Sequence, residues 1–278
     1  MNLIKLIVIS LFFFSFLSVA DTLLSSDIKL YALDCGTIEV SDMKDLSSTG
    51  EYDGQEIQLV NPCFLIRHPK GNLLWDTGLV DSMADNPNGE ISGVWHSKLS
   101  TTLIKQLHQL DLSAKDIDYI SLSHAHPDHS GNANKFIDST FIANELEYEY
   151  MFSQPAKTYF GTNYSALKNA KTIFFTNEYD VFGDRSVVIK SMPGHTPGSS
   201  VLLVRLYNAG NVLLTGDLYI HARERKTGTM HKYNVNKVLT VISRAKFENL
   251  VKKESARVVI QHEKQDFERL PKFPKFLN

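Results

Sequence analysis

The chain has 278 residues, 43% of them hydrophobic, and its 29 Lys and Arg nearly balance 31 Asp and Glu, giving a formal net charge of −2. So small a charge predicts no electrostatic surface for nucleic acid or for an anionic membrane. The sequence contains no internal repeat or low-complexity tract, which excludes solenoid arrays, and its length suits one large domain or two small ones.

Residues 1–20 come first in chain order and have the layout of a secretory signal peptide. Lys5 gives a basic start, an apolar run covers residues 6–17, and Ser18-Val19-Ala20 supplies the small residues that signal peptidase reads. The run is shorter than the roughly 20 residues of a membrane-spanning helix, which favours cleavage near Asp21 over an uncleaved anchor. We therefore expect a periplasmic or secreted protein, residues 21–278, with no stable membrane anchor after cleavage.

The mature chain alternates between apolar strands and a few helices. Hydrophobic patterning and turn residues predict strands over 28–33, 57–67, 73–76, 117–123, 140–143, 186–192, 199–207, 212–215 and 256–261. Helices are predicted over 101–110, 145–152 and 235–253, and long polar loops over 36–55 and 81–93. Two strand-rich halves without a break in composition indicate a single layered α/β domain.

A histidine-rich string follows the predicted strand 117–123. It reads His124-Ala125-His126-Pro127-Asp128-His129, an H-x-H-x-D-H pattern. A turn leaving a strand can direct His124 and His126 at one point, while Asp128 and His129 face a second point a few ångströms away. Neutral imidazoles and a carboxylate suit zinc, and the absence of Cys from the cluster excludes a thiolate site.

Three more segments place a metal-ligating side chain at the end of an apolar strand. His195 lies in the turn Pro193-Gly194-His195-Thr196-Pro197-Gly198, Asp217 follows the strand 212–215, and His262 follows the last strand. Each residue alone is more often a hydrogen-bonded loop residue than a ligand. Together with the first cluster, they supply enough ligands for a pair of metal ions.

These motifs make the chain similar to the metallo-β-lactamase superfamily over essentially all of residues 21–278. The resemblance implies a four-layer αββα sandwich with two Zn²⁺ ions at one edge of its sheets. Asp76, in the segment Trp75-Asp76-Thr77-Gly78, would orient one ligand histidine. The implied ligands are His124, His126 and His195 for the first zinc, Asp128, His129 and His262 for the second, and Asp217 as the bridge.

Within the superfamily, the chain resembles the N-acyl-homoserine lactonases in particular. The spacing of the ligands after His129 is similar to theirs, as are the segment 63–69 leading into 75–78 and the turn 195–198. Those lactonases place a Tyr or His three residues after the bridging Asp, where this chain has Ile220. Tyr219 and His221 flank that position and are the residues we predict to assist in its place.

The resemblance implies an exported dinuclear zinc hydrolase that opens lactone or ester bonds, with N-acyl-homoserine lactones as substrates (quorum quenching). A metal-bridging hydroxide would attack the carbonyl, since zinc lowers the pKa of water to about 7. Asp128 would carry the proton to the leaving group, and Tyr219 or His221 would donate to the developing oxyanion. The rival interpretations are a thioesterase or arylesterase on the same fold, a β-lactamase-like hydrolase, and a non-enzymatic metal-binding periplasmic protein.

Other features permit more than one interpretation. The aromatic segment 145–164 could hold an acyl chain or could belong to the core, and the segment 81–96, with Trp95, could form the opposite wall. Cys35 and Cys63 could pair after export, although two buried free thiols are the favoured interpretation. We interpret residues 223–226 as a solvated loop, and His68, His96, His108 and His231 as surface or packing residues. The oligomeric state stays open, a homodimer included.

Overall fold

The computed structural model describes residues 26–278, so the predicted signal peptide lies outside the described residues. The strands are β1 Lys29–Val40, β2 Ile57–His68, β3 Gly71–Trp75, β4 Glu90–Ser92, β5 Trp95–Lys98, β6 Tyr119–Ser121, β7 Thr140–Asn144, β8 Thr172–Phe175, β9 Glu178–Asp180, β10 Val187–Ser191, β11 Ser200–Leu206, β12 Gly210–Leu214 and β13 Arg257–Val259. The α-helices are α1 Leu103–His108, α2 Pro127–Ser130, α3 Glu145–Met151, α4 Gln154–Phe160, α5 Ala222–Thr227, α6 Lys237–Glu254 and α7 Lys264–Glu268.

The strands form two sheets that pack face to face. One sheet has eight strands in the order β4-β5-β1-β2-β3-β6-β7-β8, and the other has five in the order β13-β12-β11-β10-β9. Alternation along the strands separates two apolar faces on each sheet. In β11, Leu202 and Val204 point into the core between the sheets, whereas Leu203 points to the outer face.

Helices cover both outer faces, which completes the four layers. Leu103 and Leu107 of α1 pack with Leu65 and Leu74 on the outside of the larger sheet. Phe247 of α6 packs on the outside of the smaller sheet. The αββα sandwich predicted from the resemblance is therefore confirmed as a single domain. Along α6, Val238, Val241 and Ile242 remain exposed to solvent.

The predicted ligands gather at one edge because the strands that precede them end there. β3 pairs in parallel with β6, and β12 pairs in parallel with β13. Parallel neighbours direct the residues that follow them to the same edge of a sheet. The segments after β3, β6, β12 and β13 therefore meet, and they contain Asp76, the histidine cluster, Asp217 and His262.

The structure corrects several details of the sequence interpretation, among them the predicted loop over 81–93, which contains the strand β4. Residues 36–40 belong to β1, which continues past an irregularity between Asp34 and Thr37, rather than to a loop. Residues 223–226 lie in α5 instead of a solvated loop, with Glu224 fully buried. Cys35 and Cys63 form a disulfide, so the favoured interpretation as free thiols is wrong. Within residues 26–278, no helix is both long enough and apolar enough to cross a membrane.

Candidate metal centre

The histidine cluster owes its shape to the transition from β6 to the short helix α2. His126 is the N-cap of α2 in an extended conformation, and Pro127 occupies the first turn, where its missing N–H costs nothing. This change of direction separates the side chains before α2 from Asp128 and His129 within it. On the opposite sheet, Gly216 adopts a φ of +50°, which favours glycine, and brings Asp217 to the same edge.

The first group of potential ligands surrounds a point between the two sheets. His195 Nε2 lies 3.0 Å from both His124 Nε2 and His126 Nδ1. Asp217 Oδ2 lies 3.3 Å from His195 Nε2 and 3.5 Å from His124 Nε2. Three imidazole nitrogens and one carboxylate oxygen therefore converge on one position.

The second group lies on the other side of the same carboxylate. Asp217 Oδ1 is 3.0 Å from His262 Nε2 and 3.1 Å from His129 Nε2. Asp128 Oδ2 is 3.5 Å from each of these two nitrogens. The two oxygens of Asp217 thus face different groups, as the resemblance to the superfamily implies for a bridging residue.

The distances between the converging atoms fit the ligands of a pair of metal ions. Zinc bonds of about 2.0–2.2 Å in a tetrahedron place the ligand atoms roughly 3.3–3.6 Å apart, close to the 3.0–3.5 Å separations here. Asp217 Oδ1 is buried and has no hydrogen-bond partner among the described residues. A buried carboxylate oxygen without a donor is costly, and a cation would satisfy it.

Outer hydrogen bonds fix the direction of several rings. Asp76 Oδ2 lies 2.9 Å from His129 Nδ1, and Asp76 also accepts from the backbone N–H of Ser123 and from Gln261. His262 Nδ1 donates to the Val60 carbonyl at 2.8 Å. Such contacts turn the opposite ring nitrogen, Nε2, toward the centre with its lone pair available. The role predicted for Asp76 agrees with this geometry.

Burial and charge divide the histidines into two classes. Burial lowers the pKa of His124, His126 and His195, that of His126 to about 4. Burial also acts to lower the pKa of His129 and His262, but Asp217 and neighbouring carboxylates outweigh it and raise both values. Burial opposes ionisation of Asp217, yet the surrounding imidazoles hold its pKa well below the usual value.

The amino-acid sequence identifies the family independently of the geometry. The sequence model described as metallo-beta-lactamase superfamily matches residues 58–262. The chain belongs to this superfamily. Its ligand segments after β6, β10, β12 and β13 all lie within the matched region.

Curated relatives of this metallo-beta-lactamase superfamily chain include lactonases. The N-acyl homoserine lactonase AttM of Agrobacterium fabrum is 29% identical over 266 residues, covering 90% of this chain and 99% of AttM. The N-acyl homoserine lactonase AiiA of Bacillus thuringiensis subsp. kurstaki is 26% identical over 257 residues, covering 90% of this chain and 98% of AiiA. Similarity to these enzymes supports a hydrolytic function.

Solved superfamily structures show the same fold. A variant of AiiA from Bacillus thuringiensis, with N-decanoyl-L-homoserine bound at its active site, matches with a TM-score of 0.79 at 23% identity, covering 90% of this chain and 98% of that one. AidC, described as a dizinc quorum-quenching lactonase in complex with its product, matches with a TM-score of 0.66 at 19% identity, covering 90% of each chain.

A buried carboxylate joins the two turns that carry the first group. Glu147 Oε1 accepts from the Ala125 N–H, and Oε2 accepts from the Thr196 hydroxyl and the Gly198 N–H. These donors flank His124, His126 and His195 in the sequence. Burial raises the pKa of Glu147 to about 7, and the three hydrogen bonds oppose that increase. Sequence reasoning missed this residue, since Glu147 resembles any other Glu of an amphipathic helix.

A cavity of about 330 Å³ opens onto the ligands. Trp95 of β5 lines it, as predicted for the segment 81–96, and Phe160 of the aromatic segment lies with its ring 5.2 Å from that of His126. Tyr148, Tyr150, Phe152 and Tyr164 pack in or against the core, where the Tyr164 hydroxyl donates to the Met151 carbonyl, whereas Tyr159 is exposed. The remaining apolar walls come from Ile38, Leu46, Leu59, Leu79 and Ile220.

Neither residue predicted to assist at the carbonyl lines this cavity. The Tyr219 hydroxyl donates to Glu248 of α6 at 3.1 Å, and its ring packs on Phe247 in the outer core. The His221 side chain caps α5 by accepting from the Glu224 N–H, and its ring packs against Tyr52. Ile220, which lies between them, lines the cavity instead.

His231 and Tyr233 were not assigned to the cavity from the sequence alone. His231 and Tyr233 line the cavity from the loop between α5 and α6. His231 is not a member of either ligand group, in agreement with its predicted status as a non-ligand. The other histidines interpreted as surface or packing residues also lie outside both ligand groups: His68 stacks on Phe182, His96 contacts Glu39, and His108 is exposed.

Proposed function

We propose that the protein is an exported dinuclear zinc hydrolase that opens lactone or ester bonds, with N-acyl-homoserine lactones as its substrates (quorum quenching). The observation that carries the metal assignment is the position of Asp217. One carboxylate oxygen faces His124 and His195, and the other faces His129 and His262. A residue placed in this way would be shared by two metal ions rather than complete the shell of one.

The ligand assignment follows from the same geometry. His124, His126 and His195 would hold one Zn²⁺, Asp128, His129 and His262 the other, with Asp217 shared. Seven residues leave positions open on two metal ions, which favours catalysis over a purely structural site. Bound zinc would polarise the substrate carbonyl and lower the pKa of water to about 7.

The protein's own residues divide the remaining tasks. Asp128 faces the cavity with its side chain 20% exposed, a position from which it can transfer a proton to the leaving oxygen. The apolar walls suit an acyl chain, and the cavity volume of about 330 Å³ lies within the range of small-molecule sites, roughly 300–1,000 Å³. The lactonase names of relatives that align over 90% of the chain favour a homoserine lactone as the head group.

Export rests on two observations. Residues 1–20 have the composition of a cleavable signal peptide. The Cys35–Cys63 disulfide is a bond that persists in oxidising compartments such as the periplasm or the exterior. Mass spectrometry of protein expressed from the full sequence in bacteria should find a mature N-terminus near Asp21, and retention of the intact N-terminus would contradict export by cleavage.

A substrate panel tests the catalytic proposal. Zinc-loaded protein starting at Asp21 should contain about two zinc ions per chain by elemental analysis and should open N-acyl-homoserine lactones, measured by chromatography of the ring-opened acid. The comparison substrates are aliphatic lactones, aryl esters, thioesters and a β-lactam. Turnover of an aryl ester or thioester without lactone opening would place the activity with the rival esterase or thioesterase, and no turnover at all would favour a metal-binding protein.

Matched variants separate the metal site from a general effect of losing a histidine. His126→Ala removes a ligand of the first group, and we expect it to abolish turnover. His108→Ala alters an exposed residue at the end of α1 and should keep full activity. Full turnover by His126→Ala would refute the two-zinc assignment.

A further inference from the structure

His231 is a buried histidine beside the metal centre whose side chain makes no hydrogen bond. Its exposed fraction is 0%, and neither ring nitrogen has a hydrogen-bond partner among residues 26–278. An imidazole carries at least one N–H in any protonation state. Leaving that donor unpaired in the interior is unfavourable, and an acceptor on a bound molecule would satisfy it.

The main chain holds this ring firmly in place. The His231 N–H donates to Glu224 Oε1 at 3.3 Å, and its carbonyl accepts from Asn234 Nδ2 at 3.1 Å. Farther along the loop, the Val235 N–H donates to the His195 carbonyl at 3.1 Å. The loop is thereby attached to the turn that carries His195, and a ring held in this way is preorganised for a ligand.

The position of the ring points to the first ligand group. Its centroid lies 5.0 Å from that of His195, and His231 lines the cavity together with His126 and Asp217. The Asp217 main chain acts to raise the pKa of His231, but its geometry is not that of a hydrogen bond to either ring nitrogen. Glu224 Oε1 is 3.9 Å from His231 Nε2 and already accepts from Arg244 at 2.7 Å. The cavity is therefore the place from which an acceptor can approach.

The side chains around residue 220 provide no alternative donor. Ile220 is apolar, the Tyr219 hydroxyl is engaged with Glu248, and His221 does not line the cavity. We propose that His231 donates a hydrogen bond from its ring N–H to the carbonyl oxygen of the bound lactone or ester, and that this bond strengthens as the oxygen becomes an oxyanion. The assignment rests on the proposed function. No proton is transferred, and His231 acts by hydrogen bonding alone.

Kinetics of three variants test this role. His231→Leu replaces the donor ring by an apolar side chain. We expect kcat to fall about 10²–10³-fold with little change in KM, as for the loss of an oxyanion donor. His231→Gln retains an N–H and should recover part of the loss. The matched control is His108→Leu, which makes the same substitution at an exposed site and should leave both constants unchanged. All variants should bind the same amount of zinc as the wild type.

A second measurement does not depend on turnover. In zinc-loaded protein labelled with ¹⁵N at histidine, ring-opened N-hexanoyl-homoserine should shift one ring N–H proton signal downfield, and that signal should be missing in His231→Gln. An unshifted His231 signal at saturating product would refute the assignment, and this test remains available if His231→Leu does not fold.

The outcomes distinguish the two proposals. Lactone turnover by the wild type together with wild-type kcat in His231→Leu would overturn the role of His231 alone. No turnover of any lactone or ester by zinc-loaded wild type would overturn the proposed function, and the role of His231 would fail with it. A loss in His231→Leu that appears only in KM would also contradict the proposal, since it would indicate ground-state binding.

Discussion

Replacing Arg244 by Met should destabilise the protein more than a typical substitution. Arg244 of α6 donates to Glu224 Oε1 at 2.7 Å, to the Leu218 carbonyl at 3.0 Å and to the Thr229 carbonyl at 2.7 Å. Glu224 is fully buried and also accepts from the Ile220 N–H at 2.6 Å. Met keeps much of the aliphatic volume but leaves the carboxylate without its cation.

The size of the effect follows from that burial. Removing one partner of a buried ion pair costs about 3–5 kcal/mol, because the remaining charge is uncompensated. For a chain of this length the melting temperature should fall on the order of 10 °C. The pair also seats the loop that carries Ile220 and His231, since both backbone N–H groups donate to Glu224. Turnover should therefore fall along with stability.

The loss should depend on pH. Burial already raises the pKa of Glu224, and Arg244 is the largest opposing influence, so its removal raises the pKa further. A carboxyl whose pKa is higher in the folded than in the unfolded state binds more protons when folded, and stability falls as pH rises between the two values. The deficit of Arg244→Met should therefore be larger at pH 8 than at pH 5.5.

Urea denaturation followed by circular dichroism measures these differences. The double variant Glu224→Gln/Arg244→Met should be more stable than Arg244→Met alone, giving a coupling energy in a double-mutant cycle. A loss below about 1 kcal/mol in Arg244→Met, or strictly additive effects of the two changes, would refute a buried, mutually dependent pair.

Two further predictions concern the disulfide and the metal-free site. Cys35→Ser/Cys63→Ser should lower the free energy of unfolding by about 3–4 kcal/mol in urea denaturation, because the bond closes a loop of 28 residues; an unchanged midpoint would contradict this. Zinc binding should release protons, because the pKa of His129 and His262 is raised in the metal-free protein and ligands must bind deprotonated. Calorimetry at pH 6 in two buffers of different ionisation enthalpy should show proton release, and zinc affinity should decrease as pH falls; binding without proton release at pH 6 would refute it.

The clustering of the candidate ligands was predictable because its signals are local. The proposed ligands lie in the segments that follow β6, β10, β12 and β13, and His124, His126, Asp128 and His129 lie within six consecutive residues. Strand patterning and ligand chemistry were sufficient to place them at one edge of a sheet. The same locality explains why the long helix α6 was predicted close to its observed ends, whereas the short strands β4, β5, β8 and β9 were not predicted.

The cavity wall formed by Ile220 and His231 was not predictable, because it depends on contacts between distant segments. Tyr219 turns from the cavity because Glu248, 29 residues later, accepts its hydroxyl. Glu224 looked solvated because its partner Arg244 lies in another helix, 20 residues away. Cys35 and Cys63 face each other only through the register of β1 on β2.

The sequence by itself determined the type and order of the candidate metal ligands, because these residues occur in short motifs whose geometry is set by neighbouring residues. Only the tertiary structure decided which side chains border the substrate. His231 has no motif around it, and it reaches the cavity because its loop bonds to the His195 turn and to buried Glu224. Contacts of this kind join segments through space, and no local pattern of residues specifies them.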